Sequence, residues 1–311
     1  MEVLATLPAS LHQRIVKKRA KFAALELSEK DLNDLEKQLQ IEFVYNSNAI
    51  EGVTLSHGET ALAMRGLTVS GKSISDVLAA QNHPKALEIV ERVAFAHKKK
   101  IGEKDILDMH RAIMSGIVST AGEYRRGEVQ IAGATFTPPP AYMVPDLVSK
   151  DLVHFLNDNP GELRPIELAA HVHYYMAWIH PFDDGNGRMA RLLMNLILLR
   201  NHYPFAIVKK IERKRYIDAL DAVTGKGDFG PFLLFIARCV EQTLDIYLNR
   251  QGHSKFLPLS QLAKSSPYSS EYLSLQARKG VLDAVKIGRS WMSTRKTIAK
   301  YIEEHGRKGR K

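Results

Sequence analysis

Four groups able to do chemistry fall within one run of twelve residues, His180-Pro181-Phe182-Asp183-Asp184-Gly185-Asn186-Gly187-Arg188-Met189-Ala190-Arg191. His180 is the one group of the run that can take a proton near neutral pH. Gly185 and Gly187 permit a turn whose N–H groups point outward, and the apolar run Leu192–Leu199 that follows reads as a helix whose positive end faces that turn. Arg188 and Arg191 lie three apart and project from one side of the first helical turn, towards a common anion. Asp184 repels phosphate unless a cation lies between them, which points to Mg2+ held by one carboxylate and phosphate oxygens. The run therefore reads as a phosphate site with a base beside it. A metal cluster of His171, His173 and His180 is the competing reading, but no Cys or tight HxxxH partner completes it.

These residues need elements to hold them. Apolar spacing predicts helices over about 10–24, 29–51, 56–66, 73–98, 104–116, 145–158, 164–179, 186–201, 210–223 and 229–250. Between Gly122 and Pro140 the pattern changes: Val129, Ile131, Thr135 and Phe136 favour strands around the turn-prone Ala132-Gly133-Ala134, and Pro138-Pro139-Pro140 blocks extension. A β-hairpin is expected there. Tyr124-Arg125-Arg126, just before it, reads as a solvated charged turn, with a phosphate contact as the alternative. The helix ending near Gly52 carries Glu51 in its last turn, where the helix dipole disfavours an anion. A broken local rule marks a functional or strained position.

The run at 180–191 resembles the Fic family signature HPFx(D/E)GNGRxxR and matches every specified position. The resemblance covers about residues 46–247 and implies a mainly α fold, a helical core with a β-hairpin flap. It further implies transfer of AMP from ATP to a Ser, Thr or Tyr hydroxyl of a target protein. On that basis His180 is the general base, Phe182 anchors the loop, Asp184 holds Mg2+, Gly185, Asn186, Gly187 and Arg188 cradle the α- and β-phosphates, and Arg191 reaches the γ-phosphate. Met189 and Ala190 fall within the same nucleotide-binding turn. The related Doc-type kinases usually carry Lys where this chain has Gly187, so the glycine favours nucleotidyl transfer. Ser47-x-x-x-Glu51-Gly52 resembles the family's inhibitory motif, (S/T)xxxE(G/N). By that likeness Glu51 pairs with Arg191 in the space of the γ-phosphate, and Ser47 helps to seat the helix. In some relatives the equivalent Glu also supports removal of AMP.

The likeness extends to the flanks of the motif. Val129, Gln130 and Ile131 would pair with a target segment, and Ile131, Ala132, Gly133 and Ala134 would form the flap tip over the nucleotide. Tyr216 matches a nucleotide-contacting position; Thr224 stands where many relatives have Asn bonded to adenine, which leaves UTP or another nucleotide as an alternative donor. The implied partners are ATP and a hydroxyl-bearing protein, which can be another copy of this chain. A homodimer is compatible with all of this.

The chain has 311 residues, 45% of them hydrophobic, enough for a sizeable core and two domains. Its one cysteine, Cys239, excludes an internal disulfide framework and fits a reducing cytoplasm. The first residues lack a basic-then-apolar signal pattern, and the apolar run at 192–199 is too short to span a bilayer. Net charge is +10, of which residues 251–311 contribute +9, from 13 Lys or Arg against 4 Asp or Glu. The expected organisation is an N-terminal helical region (1–100) that includes the inhibitory helix (about 29–51), a core (101–250), a small domain (257–305) and a basic tail (306–311). The small domain reads as helix, turn, helix, wing, helix, with Ser269 and Thr294 as N-caps, and resembles excisionase- or MerR-type winged helix-turn-helix modules. Lys286 and Arg289 would then approach DNA phosphates, or the domain would dock a protein instead. A regulator that binds DNA and uses the core as a nucleotide sensor is the alternative function.

Overall fold

The structure is a computed structural model and describes residues 5–96, 100–130, 136–159, 162–250, 257–287 and 289–305. Its elements in chain order are α1 (Ala9–Ala23), α2 (Glu29–Ile50), α3 (His57–Met64), α4 (Ile74–Phe95), α5 (Glu103–Met114), α6 (Val144–Asp146), α7 (Val153–Asp158), α8 (Pro165–Ile179), α9 (Asn186–Arg200), α10 (Arg213–Lys226), α11 (Gly230–Arg250), β1 (Leu257–Pro258), α12 (Leu259–Ala263), α13 (Ser270–Arg278), β2 (Val285–Ile287), β3 (Ser290–Ser293) and α14 (Arg295–His305). The fold is mainly α, as expected. The single helix expected over 145–158 is instead α6 and α7 joined by a π-helical turn, Leu147–Leu152. The described residues beside the expected flap, 122–130 and 136–140, form no strand, and its tip, Ile131 to Ala134, lies outside the described residues.

Two compact units result, one of residues 1–6 and 36–240, the other of residues 7–35 and 241–311. In the first, α9 is the central element: every side chain from Met189 to Leu198 is buried. It packs on α8 and α4, and α4 packs on α5 and α3. Local signals fix the ends of these helices. Ser56 and Glu59 form a capping box at α3, Ser73 accepts from the Asp76 N–H at α4, and Pro165 begins α8 with the Glu167 carboxylate accepting from the Arg164 N–H. Cys239 is buried in this unit, which pushes its thiol pKa up.

The second unit has its own small core, Leu259, Leu262, Leu273, Ala277, Leu282, Ala284, Ile298 and Tyr301. Ser269 accepts from the Tyr272 N–H and Thr294 from the Thr297 N–H, so both expected caps form. The hairpin pairs Val285 with Met292 and Lys286 with Trp291, and β1 adds a third antiparallel strand beside β3. A buried ion cluster completes the unit: Lys18 of α1 donates to Glu241 and Asp245 of α11, both at 2.9 Å. The residues of this unit hold 20 Lys or Arg against 10 Asp or Glu, which is the whole of the chain's net charge.

Candidate active site

The chemistry-bearing loop runs from the end of α8 to the start of α9. His180 ends α8 in the left-handed region, φ 50° and ψ 56°. Its Nδ1–H donates to the Ala177 carbonyl at 3.1 Å, which leaves Nε2 with a free lone pair. Burial lowers its pKa, and the nearby Arg125 cation adds to that shift. At neutral pH the imidazole is therefore uncharged and able to accept a proton.

Phe182 is wholly buried and stacks on His110, with ring centroids 3.6 Å apart. The Asn186 side chain accepts from the Phe182 N–H at 2.9 Å and donates to the Phe182 carbonyl at 2.8 Å, closing the loop on itself. Asn186 was expected to cradle phosphate, but its side chain is spent on that closure, which leaves its N–H for an anion. Gly185 has φ 83°, and a Cβ there would lie 2.7 Å from the Met114 sulfur, so no side chain fits. Asp184 keeps its carboxylate largely exposed, with one oxygen accepting from the Gly185 N–H and the other 3.3 Å from Arg188. Arg188 is buried and its Nε has no acceptor among the described residues. A buried, unpaired guanidinium N–H beside a glycine loop is a site for an anion.

Arg191 is fully buried and already has a partner. Its Nη2 donates to Glu51 Oε1 at 2.7 Å and to the Ser47 carbonyl at 2.8 Å, and its Nε donates to Ser47 Oγ at 2.9 Å. Burial works to raise the Glu51 pKa, but Arg191, with Arg188 and Arg213, outweighs it, and the carboxyl sits below its ordinary range. Gly52, at φ 96°, ends the helix just past Glu51. Further bonds seat this end of α2: Lys210 N–H donates to Asn46 Oδ1, and Arg213 Nε donates to the Ile50 carbonyl. Gly187 explains how Glu51 comes so close, because a Cβ at 187 would collide with the Glu51 carboxylate.

The remaining expected residues are less uniform. Met189 and Ala190 are wholly buried, so they can offer a ligand only backbone. Tyr216 is buried with its hydroxyl 2.8 Å from His173 Nε2, and burial pushes its pKa up to about 12. Thr224 donates to the Leu220 carbonyl within its own helix. Val129 is half-buried and Gln130 exposed, next to the undescribed tip residues Ile131, Ala132, Gly133 and Ala134. Lys286 and Arg289 are exposed in the second unit.

Two residues that composition gave no reason to select hold the loop in place. Arg125, expected to be solvated, is buried and donates from Nε to the His180 carbonyl at 2.8 Å. His110 bridges Gly122 and Asp184: Nδ1 accepts from the Gly122 N–H and Nε2 donates to the Asp184 carbonyl, both at 2.9 Å. Burial lowers its pKa to about 4, which keeps it neutral and able to do both.

An uncharged imidazole beside a glycine-framed, arginine-backed helix start is an arrangement suited to an anion such as phosphate. Comparison with known proteins narrows this class. A profile of the Fic/DOC family matches residues 100–198. The chain is 34% identical over 250 residues, 79% of its length, to "Protein adenylyltransferase Fic" of Drosophila persimilis, of which it covers 48%. Among solved structures it resembles Fic-1 from C. elegans, with 32% identity, a TM-score of 0.70 and coverage of 77% of this chain and 71% of that one. It also resembles a Fic domain containing signaling protein from Bacteroides thetaiotaomicron, with 28% identity, a TM-score of 0.71 and coverage of 78% and 97%. The chain belongs to the Fic/DOC family. It spans about half the length of the curated relatives it matches.

Proposed function

We propose that this protein transfers AMP from ATP to a Ser, Thr or Tyr hydroxyl of a protein, and that Glu51 holds it inactive at rest. The observation that carries the reading is the free Nε2 of an uncharged His180 at the mouth of the glycine loop. The target oxygen bonds to the α-phosphorus, the bond from that phosphorus to the pyrophosphate oxygen breaks, and the hydroxyl proton passes to His180 Nε2. Arg188, the loop N–H groups and the positive end of α9 hold the charge that develops on the phosphates. The relatives matched in Drosophila persimilis and Nematostella vectensis are each named "Protein adenylyltransferase Fic", which favours AMP over a phosphoryl group as the transferred unit.

Asp184 suits Mg2+. Among the described residues no group of three or more His, Cys, Asp or Glu could hold a metal unaided, and a single exposed carboxylate beside an anion site is the donor set that Mg2+ shares with substrate phosphates. When bound there, the ion would neutralise phosphate charge and orient the leaving group.

The inhibited state rests on competition for Arg191. Among the described residues its guanidinium has one carboxylate partner, Glu51, which also lies against Gly187, and we assign that place to the γ-phosphate. Glu51 in that position would leave ATP in a pose unsuited to transfer, and an oriented water beside the same carboxylate would support removal of AMP.

Labelled ATP and labelled UTP, each incubated with the Glu51→Gly protein in a cell lysate, test donor and reaction together. The expected result is ATP-derived label on protein that disappears with His180→Ala. Label that survives His180→Ala, or label from UTP alone, overturns the reading of base or of donor.

A second reading concerns the other unit. Its +10 charge, and the exposed Lys286 and Arg289 of its hairpin, favour contact with duplex DNA, with α13 as the groove helix. No gel shift of random duplex at low salt would eliminate it, whereas a shift that persists at high salt would support contacts beyond charge attraction.

A further inference from the structure

We infer that Arg125 is the positioning residue for the base: one buried guanidinium holds His180 in its left-handed conformation and ties both roots of the 127–139 segment to it. The side chain is 0% exposed. Nε donates to the His180 carbonyl at 2.8 Å, Nη1 to the Gly127 carbonyl at 3.0 Å and Nη2 to the Pro139 carbonyl, while the Arg125 N–H donates to the Pro181 carbonyl at 2.9 Å. The nearest carboxylate, Glu128, is 3.9 Å away and largely exposed, so backbone carbonyls do most of the solvating of this charge.

Those carbonyls come from three stretches of chain, and the Arg125 side chain bonds to all three. Gly127 and Pro139 bracket the segment expected to receive a target peptide, and His180 carries the base. Only a guanidinium offers five donors in a rigid fork; a lysine ammonium has three on a flexible stem and cannot reach three divergent carbonyls at once. The left-handed backbone at His180 is unfavourable for a residue with a Cβ, so something must hold it. The Arg125 bonds to both carbonyls of the His180-Pro181 pair do so.

Neighbouring contacts extend the same clamp. Thr120 Oγ1 donates to Asp183 at 2.7 Å and His110 Nε2 donates to the Asp184 carbonyl at 2.9 Å. The segment 110–125 thus grips the loop at 180, 181, 183 and 184, and Arg125 is the member that reaches the base and the flap roots together. It touches no reacting atom. Its effect is on geometry, and a displacement of the base by about 1 Å is enough to cost on the order of 100-fold in rate.

The inference rests on the proposed AMP transfer, so the test includes a readout that does not. Arg125→Lys is made in the Glu51→Gly background, whose own labelling activity tests the transfer reading separately. The expected result is a kcat lower by roughly 10- to 100-fold, a KM for ATP within about threefold of the parent, and partial rescue of Arg125→Ala by added ethylguanidinium. Imidazole 15N NMR, with His180→Ala to assign the signal, should show the Nδ1–H form of His180 in the parent and a mixture of tautomers in Arg125→Lys, whether or not label is transferred. If Arg125→Ala does not fold, the Lys and Gln variants carry both measurements. An unchanged His180 spectrum with kcat within twofold overturns the inference, as does a fall in kcat matched by an equal rise in KM for ATP.

Discussion

Replacing Ser47 by alanine removes one atom from the inhibitory contact and leaves Glu51 untouched. Ser47 is 1% exposed, and its Oγ accepts from Arg191 Nε at 2.9 Å. A hydrogen bond from a charged donor contributes about 1.5–3 kcal/mol, and the variant leaves that N–H unpaired beside a methyl group in a buried place. Two bonds from Nη2 remain, to Glu51 and to the Ser47 carbonyl, so α2 should stay docked but more weakly. If about half of the loss falls on the inhibited arrangement alone, the population able to accept a γ-phosphate at Arg191 rises by roughly 3- to 10-fold, since 1.4 kcal/mol is a factor of ten. The assay is the initial rate of label transfer from ATP by the otherwise unmodified protein, with the thermal midpoint measured in parallel. We expect a rate 3- to 10-fold above the parent and a midpoint lower by about 2–4 °C for each kcal/mol lost. An unchanged rate and an unchanged midpoint together would refute the claim that Ser47 seats the helix through Arg191.

Other consequences can be checked independently. The lowered pKa of His180 puts the acid limb of the kcat profile of Glu51→Gly below the ordinary histidine value of about 6.5; a limb above it would contradict the assigned base. Four buried histidines of the first unit, His83 and His173 with pKa lowered to about 3 and His110 and His171 to about 4, are neutral when folded and take protons only on unfolding. Stability should be fully present above about pH 6.5 and fall as the pH drops from there towards 4, by up to about 1.4 kcal/mol per pH unit for each; a flat denaturant midpoint over that window would refute it. Lys18→Met leaves the buried Asp245 without its cation, while Glu241 keeps Arg14, at a cost of about 3 kcal/mol, and should raise hydrogen exchange in α13 and β3; no change there would show the cluster to be dispensable.

The loop chemistry was legible because it is contiguous: His180, Asp184, Gly185, Arg188 and Arg191 keep their spacing whatever the rest of the chain does. Glu51 stood out because an acid at a helix C-terminus breaks a local rule, but its pairing with Arg191, 140 positions away and 2.7 Å off, was implied only by the likeness to the inhibitory motif. Arg125 was misread, since nothing local distinguishes an arginine among charged neighbours from one that will meet carbonyls of residues 127, 139 and 180. For Asn186 the motif gave the place but not the use of the side chain, which closes the loop on the Phe182 backbone. The side-chain caps Ser269 and Thr294 could be placed from sequence. The π-helical turn at 147–152 could not, because a change of one residue in hydrogen-bond register leaves the apolar spacing nearly intact. The charge imbalance was visible as a basic C-terminal fifth, but the grouping of α1 with that segment is tertiary.

The central claim is that a competent transfer site is held off by one carboxylate, and initial rates of AMP incorporation from labelled ATP test it most directly. Glu51→Gly should exceed the parent by at least about tenfold, and adding His180→Ala should abolish the gain. Equal rates in the parent and in Glu51→Gly, with ATP bound by both, would contradict it.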